Sequence, residues 1–275
     1  MIPSADENMP RLRFENRWVV VTGASSGLGL EIARRLALVE RANLIVAARR
    51  GDRLAGLKQE IEQRGETKVE PIEVDLSRPD GADTLFQRST AIGQVYGVVN
   101  NAGVTAYGAT TRDQLESYDR IIDVNLRSAM RLTLLFLDYL LERGEGGIQN
   151  VTSVAAFIPV PYQSIYSASK HALQCFTEAL HAENRGRGIA ICSFAPGGIA
   201  TDMLTDSGLD RKFDRDSRLN MRPERAARKA VAAFKKGKAV AVPGLSNRLV
   251  VVLSRLLPRR LLLRLAAHAY RPPGS

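Results

Sequence analysis

A chain of 275 residues with 45% hydrophobic and 25% charged residues is made up like an ordinary folded protein, which excludes disordered, collagen-like and coiled-coil chains. Lys+Arg number 39 against 29 Asp+Glu, a formal net charge of +10, and no apolar run reaches the ~18 residues needed to cross a bilayer. Residues 1–14 contain Pro3, Asp6, Glu7 and Pro10 and no apolar stretch, so no secretory signal is expected. Cys175 and Cys192 lie in apolar sequence and are expected as buried, reduced thiols in a cytoplasmic protein. Three scattered histidines offer no ligand spacing, and no metal is expected.

The first predicted element is a buried strand over 17–22 (RWVVVT), ended by glycines. A helix over 27–40 follows, with Leu28, Ile32, Leu36 and Val39 on one face. Next come a strand at 43–48, a helix at 52–64 closed by Gly65, a strand at 69–74 and a helix at 81–92. The fourth strand is expected at 96–100, then one long helix over 112–142 and a strand at 148–152. A second long helix is expected at 164–183, a strand at 189–194, a helix at 226–234 and a short strand at 239–242. Strands rich in Val and Ile, separated by helices, predict an α/β fold: a single doubly wound, Rossmann-type parallel sheet flanked by helices on both faces. No linker or repeat divides it. The expected organisation is an extension at 1–15, one domain at 16–244 with a polar, irregular stretch at about 198–222, and a tail at 245–275.

The turn after the first strand, Thr22-Gly23-Ala24-Ser25-Ser26-Gly27-Leu28-Gly29, has the make-up of a dinucleotide site. Its glycines permit a tight turn, let backbone N–H groups approach a pyrophosphate and seat the helix against the strand. The second strand ends Ala48-Arg49-Arg50, with no acid before Asp52. An NAD-specific site would place Asp or Glu there, whereas arginine forks suit a ribose 2′-phosphate. NADP(H) is therefore preferred with NAD(H) open as a second choice, and Arg49 is favoured over Arg50 as the contact.

Tyr166 and Lys170 stand four residues apart, hence adjacent on a helix. An ammonium beside a phenol favours the phenolate and prepares Tyr166 as a general acid/base for carbonyl chemistry. Ser153 ends the fifth strand at the carboxyl edge of the sheet, where a hydroxyl can donate to a carbonyl oxygen.

With TGASSGLG at 22–29, Asn100-Asn101-Ala102-Gly103, Asn125, Ser153, Tyr166-x-x-x-Lys170 and Pro196-Gly197 in that order, the chain resembles the short-chain dehydrogenases/reductases over roughly 16–242. The resemblance implies an oxidoreductase passing hydride between a nicotinamide and a ketone or secondary alcohol. It assigns proton transfer to Tyr166, substrate orientation to Ser153, and ribose binding with pKa lowering of Tyr166 to Lys170. Asn125 would anchor a relay water. It adds Asn101, Ala102, Gly103 and Asp75 on the adenosine side, and Pro196, Gly197, Ile199 and Thr201 near the nicotinamide. It further implies a mobile lid at 198–222 and a homodimer or homotetramer. For the latter, Leu132, Leu135, Phe136 and Tyr139 on one long helix, and Leu173, Phe176 and Leu180 on the other, are read as interface or core. Serine at 26, where some NADP-using relatives have a basic residue, leaves the phosphate preference to Arg49 and Arg50.

Phe157, Ile158, Pro159 and Val160, with Met203 and Leu204, suggest an apolar pocket for a lipid, 3-oxoacyl, steroid- or terpenoid-like substrate. Residues 209–275 hold 17 Lys+Arg against 4 Asp+Glu. In the tail, Leu249–Leu253 and Leu261–Leu263 alternate with Arg248, Arg255, Arg259, Arg260 and Arg264, with Pro258 between two short helices. Two readings of the tail stay open: peripheral contact with anionic membrane, or docking onto the enzyme's own core or a neighbouring subunit. Nucleic acid is not an expected partner, because the tail lacks interleaved aromatics and the chain has no zinc or helix-turn-helix signature. The alternatives from outside the enzymes are a cofactor-binding regulator without turnover and a protein that binds nucleic acid or membrane through its basic tail.

Overall fold

The computed structural model describes residues 10–209, 217 and 220–272. Most of the expected N-terminal extension and the middle of the expected lid lie outside them.

Seven parallel strands form one sheet in the order β3-β2-β1-β4-β5-β6-β7. They are β1 (Trp18–Thr22), β2 (Asn43–Ala48), β3 (Val69–Glu73), β4 (Val95–Asn100), β5 (Gly146–Val151), β6 (Ile189–Phe194) and β7 (Val240–Ala241). The helices between them are α1 (Gly27–Leu38), α2 (Gly51–Glu62), α3 (Gly81–Ile92), α4 (Leu115–Ile122), α5 (Ser128–Leu141), α6 (Ser164–Glu183), α7 (Asp202–Asp206) and α8 (Pro223–Lys235). The inner strands β1, β2, β4, β5 and β6 are almost wholly buried because helices cover both faces of the sheet. One apolar cluster joins Val19, Val21, Leu44 and Val46 to α1, α2 and α8, and a second joins Val20, Ile45, Val98 and Ile148 to α3, α5 and α6.

The chain winds outward from β1 to β3 and then crosses back to β4 on the other side of β1. Loops leaving the carboxyl ends of β1 and β4 therefore diverge, and a crevice opens between them. Thr22 fixes its floor. Its hydroxyl donates to the Val99 carbonyl (3.4 Å) and accepts the N–H groups of Asn101 and Ala102, both at 3.0 Å.

Three local features depart from the pattern expected of the sequence. The long helix over 112–142 is interrupted: a 3-10 turn at Arg112–Gln114 leads into α4, and a π-helical turn at Asp123–Arg127 separates α4 from α5. Leu12 and Phe14 are buried, and the Leu12 N–H donates to Lys235 O at 2.9 Å, so the folded unit begins before residue 16. Cys192 is buried as expected, but Cys175 is exposed, because α6 turns that position outward.

The tail folds into α9 (Leu245–Leu256) and α10 (Arg259–Tyr270), with Pro258 as the N-cap of α10. Val251 packs with Val154, Ala195 and Val242, and Leu262 with Ala155, Ile158 and Val160. The tail is thus docked on the body of the fold along one side.

Candidate active site

A single cavity of about 720 Å³ runs along the carboxyl edge of the sheet. It gathers Ser25, Ser26, Gly27, Leu28, Arg49, Arg50, Asp75, Asn101, Ala102, Gly103, Ile199 and Thr201 with Ser153, Tyr166, Lys170, Pro196 and Gly197. Gly23 lines it too, at φ 68, a backbone state that favours glycine; a Cβ there would stand 2.9 Å from Ala102 Cα. Of the expected catalytic and cofactor residues only Gly29 and Asn125 do not line the cavity. Gly29 supports it from beneath, where a Cβ would collide with the Gly23 carbonyl oxygen and Asn101 Nδ2.

At the adenosine end the two arginines take different places. Arg50 donates to both serines of the turn, from Nη2 to Ser25 Oγ (2.9 Å) and Ser26 Oγ (2.8 Å). Arg49 stands by Asp75. Partial burial works against the Asp75 charge, but the Ser77 N–H and hydroxyl, with Arg49 and Arg78, outweigh it and hold the carboxyl below its usual range.

The other end carries the acid/base set. Ser153 follows β5 in extended backbone, and its hydroxyl accepts the Ala155 N–H (3.1 Å) and reaches Pro196 O (3.4 Å). Tyr166 and Lys170 sit one turn apart on α6, the ammonium 5.9 Å from the centre of the phenol ring. Buried polar bonds hold α6 in register with the sheet: Asn150 Nδ2 donates to Thr177 Oγ1 (2.9 Å) and Thr152 Oγ1 to Gln174 Oε1 (2.8 Å). Lys170 Nζ donates to Val151 O at 2.9 Å, and burial lowers its pKa to about 8. Tyr166 moves the other way from the expectation. Burial raises its pKa, the hydrogen bond with Ser153 lowers it, and the neighbouring Tyr270 raises it again, with a net rise. A phenol so placed keeps its proton at neutral pH.

Asn125 lies in the π-helical turn and is fully buried. Its Oδ1 accepts the Val104 N–H (2.8 Å), while Nδ2 donates to Val104 O (2.8 Å) and Ser169 Oγ (3.2 Å). The side chain therefore ties the helix to the loop after β4.

The third wall is apolar. Ile158, Met203 and Leu204 line it as expected, but Phe157, Pro159 and Val160 do not: Phe157 packs against the Val251 cluster and Val160 lies behind, against Leu262. In their place stand Asn247, Val250, Leu262, Leu265, Ala266, Ala269 and Tyr270, all from the tail. Tyr107 Oη donates to Tyr270 O (2.8 Å), fastening the end of α10 to the loop after β4. Sequence reasoning missed these residues; the alternation of arginine and leucine marked the helices as amphipathic but carried no sign of what their inner faces would cover. Leu132, Phe136 and Leu180 are buried in the sheet-facing core and Leu173 is buried as well, whereas Leu135, Tyr139 and Phe176 are only half-buried.

Comparison with known proteins agrees with this arrangement. The short chain dehydrogenase family profile matches residues 17–212. SadH of Mycobacterium tuberculosis (strain ATCC 25618 / H37Rv), named as an oxidoreductase, is 32% identical over 259 residues, covering 89% of this chain and 92% of its own. The ketoacyl reductase HetN of Nostoc sp. is 36% identical over 191 residues, 69% of this chain and 66% of its own. A short-chain dehydrogenase from Sphingobium yanoikuyae, solved in complex with NADPH, superposes with a TM-score of 0.78 at 26% identity, over 90% of this chain and 95% of that one. The chain belongs to the short-chain dehydrogenase family of oxidoreductases.

Proposed function

We propose that this protein is an NADP(H)-dependent oxidoreductase that interconverts an apolar ketone and its secondary alcohol. One observation carries the reading: a single cavity has two arginines at one end, the Ser153–Tyr166–Lys170 set at the other and an apolar wall beside that set. Its lining fits the dinucleotide phosphate. The Gly23–Gly29 turn keeps backbone close to the space, and Arg49 and Arg50 supply two forks for a 2′-phosphate where NAD-specific sites have an acid. Arg50 is held against the turn by Ser25 and Ser26, and Arg49, beside Asp75, remains the favoured contact for the 2′-phosphate. When bound, the nicotinamide supplies the hydride. In reduction Tyr166 donates its proton to the carbonyl oxygen, Ser153 holds that oxygen by its hydroxyl, and Lys170 keeps a positive charge beside the phenol.

The apolar wall favours a lipid, 3-oxoacyl, steroid- or terpenoid-like ketone, and the similarity to HetN, a ketoacyl reductase, supports the 3-oxoacyl choice. The working unit is taken as a homo-oligomer formed across α5 and α6, where Leu134, Ala172 and Cys175 are exposed. Among the described residues no helix is long and apolar enough to cross a membrane.

The test is NADPH consumption over a panel of long-chain 3-oxoacyl thioesters, steroid, terpenoid and aromatic ketones and small aldehydes. Tyr166→Phe should lose turnover by about 10²–10⁴-fold while still binding NADPH. Arg49→Ala should bring NADPH and NADH affinities together, and Arg50→Ala should do so to a smaller degree. Silence throughout the panel with NADPH bound would favour the regulator, and no NADPH binding would remove the cofactor assignment.

A further inference from the structure

The tail helices have two different faces. On α9 the inward positions are Asn247, Val251 and Ser254, with Val251 only 1% exposed. At roughly 100° per residue, Leu245, Leu249, Val252, Leu253 and Leu256 form one stripe on the opposite side. All five are exposed, Leu245 by 82% and Leu256 by 74%. Leu261 and Leu265 are also exposed on α10, beyond Pro258. Arg255, Arg259, Arg260 and Arg264 stand exposed among them, and residues 245–272 contain no Asp or Glu.

We propose that this outward face of α9 and α10 docks on an anionic phospholipid bilayer, and that α10 roofs a substrate cavity opening at that docked surface. A contiguous apolar stripe with cationic side chains around it is the pattern of a helix lying in the membrane interface: leucines enter the acyl boundary while guanidinium groups meet phosphates. A second copy of the chain is a poorer occupant. Two-fold pairing would set the same arginines against each other, with no carboxylate in the segment to neutralise them. The cavity's position agrees. Val250 and Leu265 line it and are also exposed, so its mouth adjoins the stripe. On the inner side, Leu262 and Tyr270 pack with Tyr166 around Ile158 and Val160. A membrane-dissolved ketone can thus reach Tyr166 by passing α10. That last step rests on the function proposed above; the docking does not.

The experiment is co-sedimentation of the full-length protein with vesicles of phosphatidylcholine, alone or mixed with phosphatidylglycerol. Wild type should bind the mixed vesicles, bind the neutral ones far less, and be released by salt. Leu249→Glu with Leu256→Glu, both outside the cavity, should weaken binding about a hundredfold. Their NADPH turnover of a small water-soluble ketone should not change. Arg255→Gln with Arg260→Gln should remove the preference for anionic lipid and keep the fold. Equal binding by wild type and the leucine variant, or no binding to anionic vesicles, overturns the proposal. So does a fall in molecular mass of the leucine variant in sedimentation, which would make the stripe a subunit seam. Vesicle binding without turnover of any ketone would leave the docking in place and defeat the proposed activity instead.

Discussion

Lys170 is a buried cation beside a buried phenol, and its stability cost has a definite pH window. Its folded value of about 8 lies below the ordinary 10.5, so the folded chain releases this proton before the unfolded chain does. The penalty is full below pH 8 and disappears progressively between 8 and 10.5. Against Lys170→Met, wild type should therefore gain roughly 3 kcal/mol in relative stability across that window. Urea unfolding of both proteins at pH 7.5 and 10.5 measures this, and a constant difference would contradict it. Tyr270 acts on the same site from the tail. Its presence raises the Tyr166 pKa, and Tyr270→Phe keeps the ring while removing the hydroxyl. In reduction Tyr166 must hold a proton, so activity falls as pH rises through its pKa. The variant should show that fall at lower pH in kcat/KM, with KM for NADPH unchanged. An unmoved or upward-moved limb would show that Tyr270 only fills space.

At the scale of elements, the site depends on how β1 and β4 hand their loops to each other. Thr22 is 1% exposed, and its hydroxyl accepts two N–H groups of the β4 loop. Thr22→Val conserves shape but strands those donors, at a cost of roughly 2–3 kcal/mol. NADPH affinity should fall with it, since Asn101 and Ala102 line the cavity; a stability loss with unchanged affinity would separate the loop from the site. These elements were largely legible beforehand, because buried parallel strands read as unbroken Val/Ile runs and amphipathic helices as a 3.6-residue period. The glycine turn, Ser153, Tyr166 and Lys170 were legible for a different reason, namely that their spacing is imposed by chemistry. The π-helical turn at 123–127 was not, since one extra residue per turn barely disturbs the apolar pattern over so short a span. The net direction of the Tyr166 shift was not legible either, because burial is a property of the folded neighbourhood and not of the Tyr-x-x-x-Lys spacing.

Across the whole molecule, anchorage is unevenly distributed. Two large clusters grip the sheet from either face, whereas only Val251, Leu262 and Ala266 are buried among residues 245–272. The segment that roofs the cavity is therefore held down by few apolar contacts. Local opening follows that contact density, so α9 and α10 should detach at a free energy well below global unfolding. In hydrogen exchange, their amides should exchange about a hundredfold or more faster than those of β1, β4 and β5, with the family-matched body still closed. Ligand filling the cavity would touch Leu262, Ala266 and Tyr270 and add contacts only the closed tail can make. NADPH with a bulky apolar ketone should thus slow exchange in α10, and NADPH alone should slow it less, because Arg49, Arg50 and the glycine turn lie at the other end. Protection of α10 equal to that of β4 without ligand would make the roof a fixed wall. The cavity's opening would then have to be sought on the side of α7.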